Sequence, residues 1–208
     1  TVNTNPMLTN VTVDNSNYDA NTDTGIILHT GEITLGSTTL QVTKRYELNP
    51  NSSFAKVTTQ VKNIDDTTAS NIRIWVGTQD DYVGGTDSPA KTKGNIVDGV
   101  FVPITDATTK AAAINVYAGE GDSAASILFF TTSEKANTIV NQCCSFNNVV
   151  TTNPQQSVYQ QPYQDGSYGI FLRMDDLAPG ASQSIDWFYA AGTRGNMSSI
   201  VSNVAQAA

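Results

Sequence analysis

The sequence predicts an all-β protein: an antiparallel β-sandwich with long rim loops and one short C-terminal helix. Three observations carry this. Several runs alternate apolar and polar residues at the period of two that sends successive side chains to opposite faces of a strand. Short connections rich in Asn, Asp, Gly and Pro separate those runs. A single segment near the C-terminus repeats instead at helical spacing. Composition agrees. Only 14% of the 208 residues are charged, about half the usual share, and Thr and Val, both strand-favouring, are abundant. The hydrophobic share of 39% suffices for a core. With no internal repeat and no clean linker, residues 1–208 read as a single ligand-binding domain. The chain does not begin with Met, and the expectation is a domain cut from a larger surface protein.

Taken in order, Leu8 to Val13 alternates loosely and predicts a first strand, and Asp14 to Asp23 reads as a turn or loop. Gly25-Ile26-Ile27-Leu28-His29 reads as a short buried strand. Thr38 to Leu48, Phe54 to Val61 and Asn71 to Val76 form an antiparallel meander. Its turns are Asn49-Pro50-Asn51-Ser52-Ser53 and Asp65-Asp66-Thr67-Thr68. Val100 to Ile104 is a short strand or turn, and Asp106 is placed to cap one helical turn over Ala107 to Ala113. Ile114 to Tyr117 and Ser126 to Thr132 are strands around a turn at Glu120-Gly121-Asp122. Ser133 to Gln164 reads as one long irregular segment, a length usual for functional loops. Ser167 to Met174 and Gln183 to Ala190 are strands joined by a corner at Leu177-Ala178-Pro179-Gly180. Asn196 then caps a helix over Met197 to Val204, where Met197, Ile200, Val201 and Val204 share a face.

The charge excludes several partners. A net −8 and a pI of about 4.4 repel phosphate backbones, so nucleic acid is excluded. No run approaches the roughly 18 apolar residues of a membrane span, so no membrane insertion is expected. No coiled coil or apolar edge argues against a monomer. Enzyme chemistry lacks its parts. His29 is the only histidine, and there is no Gly-x-Ser-x-Gly, phosphate-cradling loop or zinc cluster. The adjacent carboxylates Asp80-Asp81 and Asp175-Asp176 point to opposite faces in extended chain, a poor acid/base couple. The protein is read as a non-enzyme.

What remains is a stretch built for binding. Gly77-Thr78-Gln79-Asp80-Asp81-Tyr82-Val83-Gly84-Gly85-Thr86-Asp87 leaves the end of a predicted strand and runs on to Asn95 and Asp98-Gly99. Oxygen-rich loops with glycines at the tight bends wrap hard cations such as Ca²⁺. The spacing is not that of an EF-hand. The loop, the adjacent Cys143-Cys144 pair and Asp165-Gly166-Ser167 all sit at strand ends and can gather at one rim. The two cysteines are free thiols or a vicinal disulfide; an oxidising compartment favours the bond, whose short span implies strain.

These stretches, with Lys93-Gly94-Asn95-Ile96, Phe129-Phe130-Thr131-Thr132-Ser133, Asn141-Gln142-Cys143-Cys144-Ser145-Phe146 and Trp187-Phe188-Tyr189-Ala190-Ala191-Gly192, resemble the peptide-binding domain of large bacterial RTX adhesins. The resemblance spans roughly residues 26–204. It implies an extracellular, Ca²⁺-dependent β-sandwich on the bacterial cell surface. Such a domain binds the C-terminal residues of host or neighbouring-cell proteins, in adhesion and biofilm formation. Carried over by position, it implies Ca²⁺ ligands among Asp80, Asp81, Asp87, Asn95 and Asp98. It puts a ligand pocket at Tyr82, Gly84, Gly85, Cys143, Cys144 and Ser145. Lys91 and Lys93 are read as exposed lysines, steering an anionic peptide end or merely solvated. The alternative is a Ca²⁺-dependent glycan-binding module, in which Trp75, Tyr82 or Tyr163 stacks on a sugar.

Overall fold

Thirteen strands and one helix appear among the described residues, 8–78, 80–142 and 159–208, of a computed structural model. The strands are β1 (Thr9–Asp19), β2 (Thr24–Leu35), β3 (Thr38–Leu48), β4 (Phe54–Asn63), β5 (Arg73–Thr78), β6 (Ala90–Val97), β7 (Val100–Pro103), β8 (Ala113–Tyr117), β9 (Ala125–Thr131), β10 (Ala136–Gln142), β11 (Gln160–Gln161), β12 (Gly166–Arg173) and β13 (Ser182–Thr193). A 3-10 turn, Arg194–Asn196, leads into α1 (Met197–Ala207). All described pairings are antiparallel, so the fold is the all-β sandwich expected, with its short C-terminal helix. The packing divides the chain into two compact units.

The first unit comprises the chain up to Ile72 and Met174–Trp187. Its strands run in the order β1-β2-β3-β4, followed by the first half of β13. In β3, Leu40, Val42 and Tyr46 lie opposite Asn63, Val61 and Val57 of β4, and Leu40, Val57, Val61 and Ile185 are buried. Trp187 Nε1 donates to Thr59 Oγ1 at 3.0 Å, which satisfies both buried polar groups. At the corner the fully buried Asn63 donates through Nδ2 to the carbonyls of Thr67 (2.7 Å) and Leu177 (2.8 Å). The predicted turn over 177–180 is there, with Gly180 at φ 77.

The second unit comprises Arg73–Arg173 and Phe188–Ala208. It is itself a sandwich. One sheet runs from the second half of β13 through β9, β8 and β6 to β11, with β7 also on β6; the other is β10-β12-β5. Residues 166–172 of β12 are buried throughout. The Phe129 ring of β9 meets Tyr168 of β12 edge-on, with centroids 6.1 Å apart, while Phe171, Ile139 and Trp75 pack together. The helix buries the predicted face, Met197, Ile200, Val201 and Val204.

Several expectations are corrected. β1 continues through the Asn/Asp-rich stretch to Asp19, as an exposed edge strand with register irregularities and Asn10 at φ 49. β2 runs on from the predicted Gly25–His29 segment to Leu35. Asp106 caps no helix. Its carboxylate accepts the N–H and hydroxyl groups of Thr108 and Thr109, which closes a bend instead. β10 lies within the segment read as irregular, and β6 within the stretch read as loop. Asn196 occupies the position before α1, but its Oδ1 accepts the N–H of Thr193 rather than a helix N–H.

Candidate metal centre

β5 and β12 set the site. Their antiparallel register pairs Thr78 with Tyr168. Chain beyond Thr78 therefore runs alongside chain before Tyr168, which brings Asp80 and Asp81 beside Asp165. The loop leaving β5 is fixed locally. Thr78 donates its hydroxyl to the Asp80 carbonyl and accepts the Asp80 N–H at 3.2 Å. Val83 and Thr86 exchange backbone hydrogen bonds of 2.8 and 3.1 Å around Gly84 (φ 58) and Gly85 (φ 91), the left-handed pair that such a tight hairpin turn requires.

Carboxylate oxygens of Asp80, Asp81 and Asp165 all lie within 4.8 Å of one another. Asp80 is exposed, Asp165 half-buried and Asp81 only 1% exposed. Asp81 forms an ion pair with Lys91, which is itself fully buried. The Lys91 ammonium also donates to the Pro89 carbonyl (2.8 Å) and the Gln164 carbonyl (2.9 Å). Three oxygens around one nitrogen match the three donors of an ammonium. Burial pushes the Asp81 carboxyl up and the Lys91 amine down, and their mutual attraction opposes both shifts. Asp165 Oδ1 and Gln161 Oε1 are buried with no hydrogen-bond partner. A Cβ on Gly166 would meet the Asn141 backbone oxygen and Gln161 Oε1, both at 2.6 Å, so only glycine lets the chain after Asp165 pass this close to β10.

These residues fit a hard divalent cation. The donors are all oxygen, which suits Ca²⁺ rather than zinc or copper. Lys91 cancels one of three carboxylate charges and leaves two uncompensated. The orphaned buried oxygens are what a cation would satisfy.

The structure brings Asp80 and Asp81 together and separates the rest of the expected ligand set from them. Asp87 lies outside the group, its Oδ1 accepting the Ser88 hydroxyl at 3.2 Å. Asn95 sits within β6 and ties the Lys110 carbonyl and the Ala112 N–H, both at 2.9 Å. Asp98 (φ 50) and Gly99 (φ 77) are the turn of the β6–β7 hairpin. Tyr82 stands 68% exposed next to Asp81, available to a ligand. Gly84 and Gly85 are turn residues. Cys143, Cys144 and Ser145 lie outside the described residues; the described chain reaches Gln142, whose ladder partner is Gly166. Lys91 and Lys93 are not solvated but buried, so neither steers a ligand from the surface. Trp75 is half-buried and packs against Ile139 and Phe171. Asp165 and Lys91 are the members that the expected ligand set lacked. Asp165 carried a signal, an Asp-Gly-Ser triplet at a strand start.

No family model and no curated protein matches the sequence. Among solved structures, the chain is similar to the GH36 α-galactosidase AgaA of Geobacillus stearothermophilus. The TM-score is 0.48 at 10% identity, over 92% of this chain and 28% of that one. A putative kojibiose phosphorylase from human microbiome gives 0.49 at 9%, over 95% and 22%. A putative aldose 1-epimerase from Escherichia coli gives 0.44 at 11%, over 82% and 66%. The chain thus spans less than a third of the first two proteins. At such identities a likeness concerns fold and carries no information on activity.

Proposed function

We propose that the protein is a non-enzymatic, Ca²⁺-dependent binding domain of a bacterial RTX-type surface adhesin, working outside the cell as a monomeric module. It captures peptides of host or neighbouring-cell surface proteins by their free C-terminus. One observation carries the reading: three carboxylates converge at a loop rim and keep two negative charges after Lys91 is counted. Asp80, Asp81 and Asp165 would hold the ion. Bound there, Ca²⁺ supplies positive charge where an acidic protein otherwise repels a terminal carboxylate. The exposed Tyr82 ring beside Asp81 offers apolar surface to the last side chains of the peptide.

Calorimetric titration tests this, using short peptides with free and with amidated C-termini, each in Ca²⁺ and in chelator. Binding that needs both Ca²⁺ and the free carboxylate is the expected result. Binding retained in excess chelator overturns the reading. The second reading is a Ca²⁺-dependent glycan module, favoured by the exposure of Tyr82 and Tyr163. Binding competed by free sugar and not by peptide would select it.

A further inference from the structure

The two loops that carry the candidate metal carboxylates share a seat away from the site. That seat is the turn joining β8 and β9, residues 118–125, closed by Ala118 N–H to Ala125 O and Ala124 N–H to Gly121 O, both 2.9 Å. The acidic loop rests on it at Gly84. A Cβ there would lie 2.6 Å from the Ala125 methyl and 2.9 Å from the Ala118 methyl, so the contact admits no larger residue. The loop that carries Asp165 is tied to the same turn by Tyr163, whose hydroxyl donates to Glu120 Oε1 at 2.9 Å. The Tyr163 ring also meets Tyr117 edge-on, with centroids 6.1 Å apart.

The turn itself is held from behind. Arg194 donates to Glu120 Oε2 at 2.5 Å and to the Gly119 carbonyl at 3.1 Å. Its guanidinium lies 4.5 Å from the Tyr117 ring centre. The Arg194 and Gly195 N–H groups bond to the carbonyls of Ala124 (2.8 Å) and Asp122 (2.9 Å). Arg194 and Tyr163 together hold the Glu120 carboxyl below its usual range. One carboxylate thus joins the start of the C-terminal helix, the β8–β9 turn and the Asp165 loop. On the other side of that loop, the Gln164 carbonyl is held by Lys91.

We infer that Tyr163 and Glu120 are positioning residues for the cation site: through the β8–β9 turn they hold Asp165 in register with Asp80 and Asp81, without touching the ion. The inference rests on the cation reading above. Groups behind metal ligands change metal affinity by about 10–100-fold when removed, and this tether is exposed, so the low end applies.

The test compares the wild type with Tyr163→Phe, Glu120→Ala and Glu120→Gln. Tyr163→Phe keeps the ring on Tyr117 and deletes only the hydroxyl. Glu120→Gln keeps an acceptor for that hydroxyl. The readouts are Ca²⁺ affinity by calorimetry, Tm in chelator, and amide hydrogen exchange over residues 162–166 in chelator. The expected result is Ca²⁺ binding weakened about tenfold in Tyr163→Phe and Glu120→Ala. Their Tm in chelator stays unchanged, exchange over 162–166 is faster, and Glu120→Gln stays near wild type. Equal Ca²⁺ affinity in all four proteins overturns the positioning role and leaves the cation reading standing. A wild type that takes up no Ca²⁺ overturns the cation reading. In that case faster exchange in Tyr163→Phe still supports the tether, and unchanged exchange overturns it too.

Discussion

Lys91→Met tests the chemistry of the site most directly. The side chains are similar in length, and the change removes only charge and donors. In the wild type the Lys91 nitrogen serves Asp81, Pro89 O and Gln164 O, and both charged partners are buried. Without it the Asp81 carboxylate, 1% exposed, loses its counter-ion. Breaking one side of a buried pair costs about 3–5 kcal/mol. The two orphaned carbonyls add to that, on the order of 1 kcal/mol where they stay dry. Against a total stability of roughly 5–15 kcal/mol, the variant should be strongly destabilised in chelator. Calcium should change the picture. With Lys91 gone three carboxylates face one another, and a dication neutralises more charge than in the wild type. A ligand at a hundredfold excess over its Kd adds about 2.7 kcal/mol, and the gain on adding Ca²⁺ should be larger for Lys91→Met than for the wild type. The assay is urea denaturation of both proteins in chelator and in saturating Ca²⁺, followed by tryptophan fluorescence. The double variant Lys91→Met/Asp81→Leu completes a cycle, and it should recover much of the loss because an apolar pair replaces the ionic one. Equal stability of Lys91→Met and wild type in chelator would refute the reasoning, since Asp81 could then not be a buried charge held by Lys91.

Three further outcomes are expected. Asp81→Asn and Asp165→Asn should abolish Ca²⁺ uptake in a calorimetric titration while Asp87→Asn retains it; uptake lost in Asp87→Asn and kept in Asp165→Asn would restore the ligand set inferred from sequence. Burial holds the Lys93 amine at about 8 in the fold, against 10.5 unfolded, so the unfolded chain binds more protons between those values and the wild type gains stability as pH rises through them. Below about pH 8 the penalty is complete, so Lys93→Met should be more stable than wild type at pH 7, by an amount on the order of 3 kcal/mol at 1.36 kcal/mol per pH unit. That difference should close as pH approaches 10.5, and denaturation midpoints that run parallel across this range would contradict it. Gly77→Ala drives a Cβ into the backbone of Tyr168 and Gly169. It should destabilise by about 1–3 kcal/mol in urea and weaken Ca²⁺ binding, because the strand pair it disturbs aligns the carboxylates.

The parts of the fold that sequence shows are those governed by local rules. β4 keeps its alternation, with Val57, Thr59 and Val61 buried on one face, and the β3–β4 turn has the residues such turns need, with Asn51 at φ 58. The helix shows itself by four apolar residues on one face. Sequence fails where a long-range partner overrides the local signal. β6 holds Lys91 and Lys93, which read as solvated, yet Lys91 is buried because its nitrogen finds oxygens at Asp81 and Gln164, contributed by separate loops. β1 fails for the opposite reason: an exposed edge strand has little core to select its residues, so Asn and Asp are tolerated there.

The site divides the same way. The Asp-Gly loop is legible because glycines at positive φ and clustered carboxylates are local features, but membership in the cluster is not local. Asp80, Asp87 and Asp98 are chemically identical and sit in similar contexts, and only strand register distinguishes them. Pairing Thr78 with Tyr168 selects Asp165 as the third carboxylate and leaves Asp98 to a hairpin turn. A slip of one residue in that pairing would turn every side chain of β5 to the other face. It would part Asp81 from Asp165 without altering any motif in the sequence. The proposed cation site is therefore a property of the β5–β12 register, and a glycine inside that ladder, Gly77, belongs to it as much as the aspartates do.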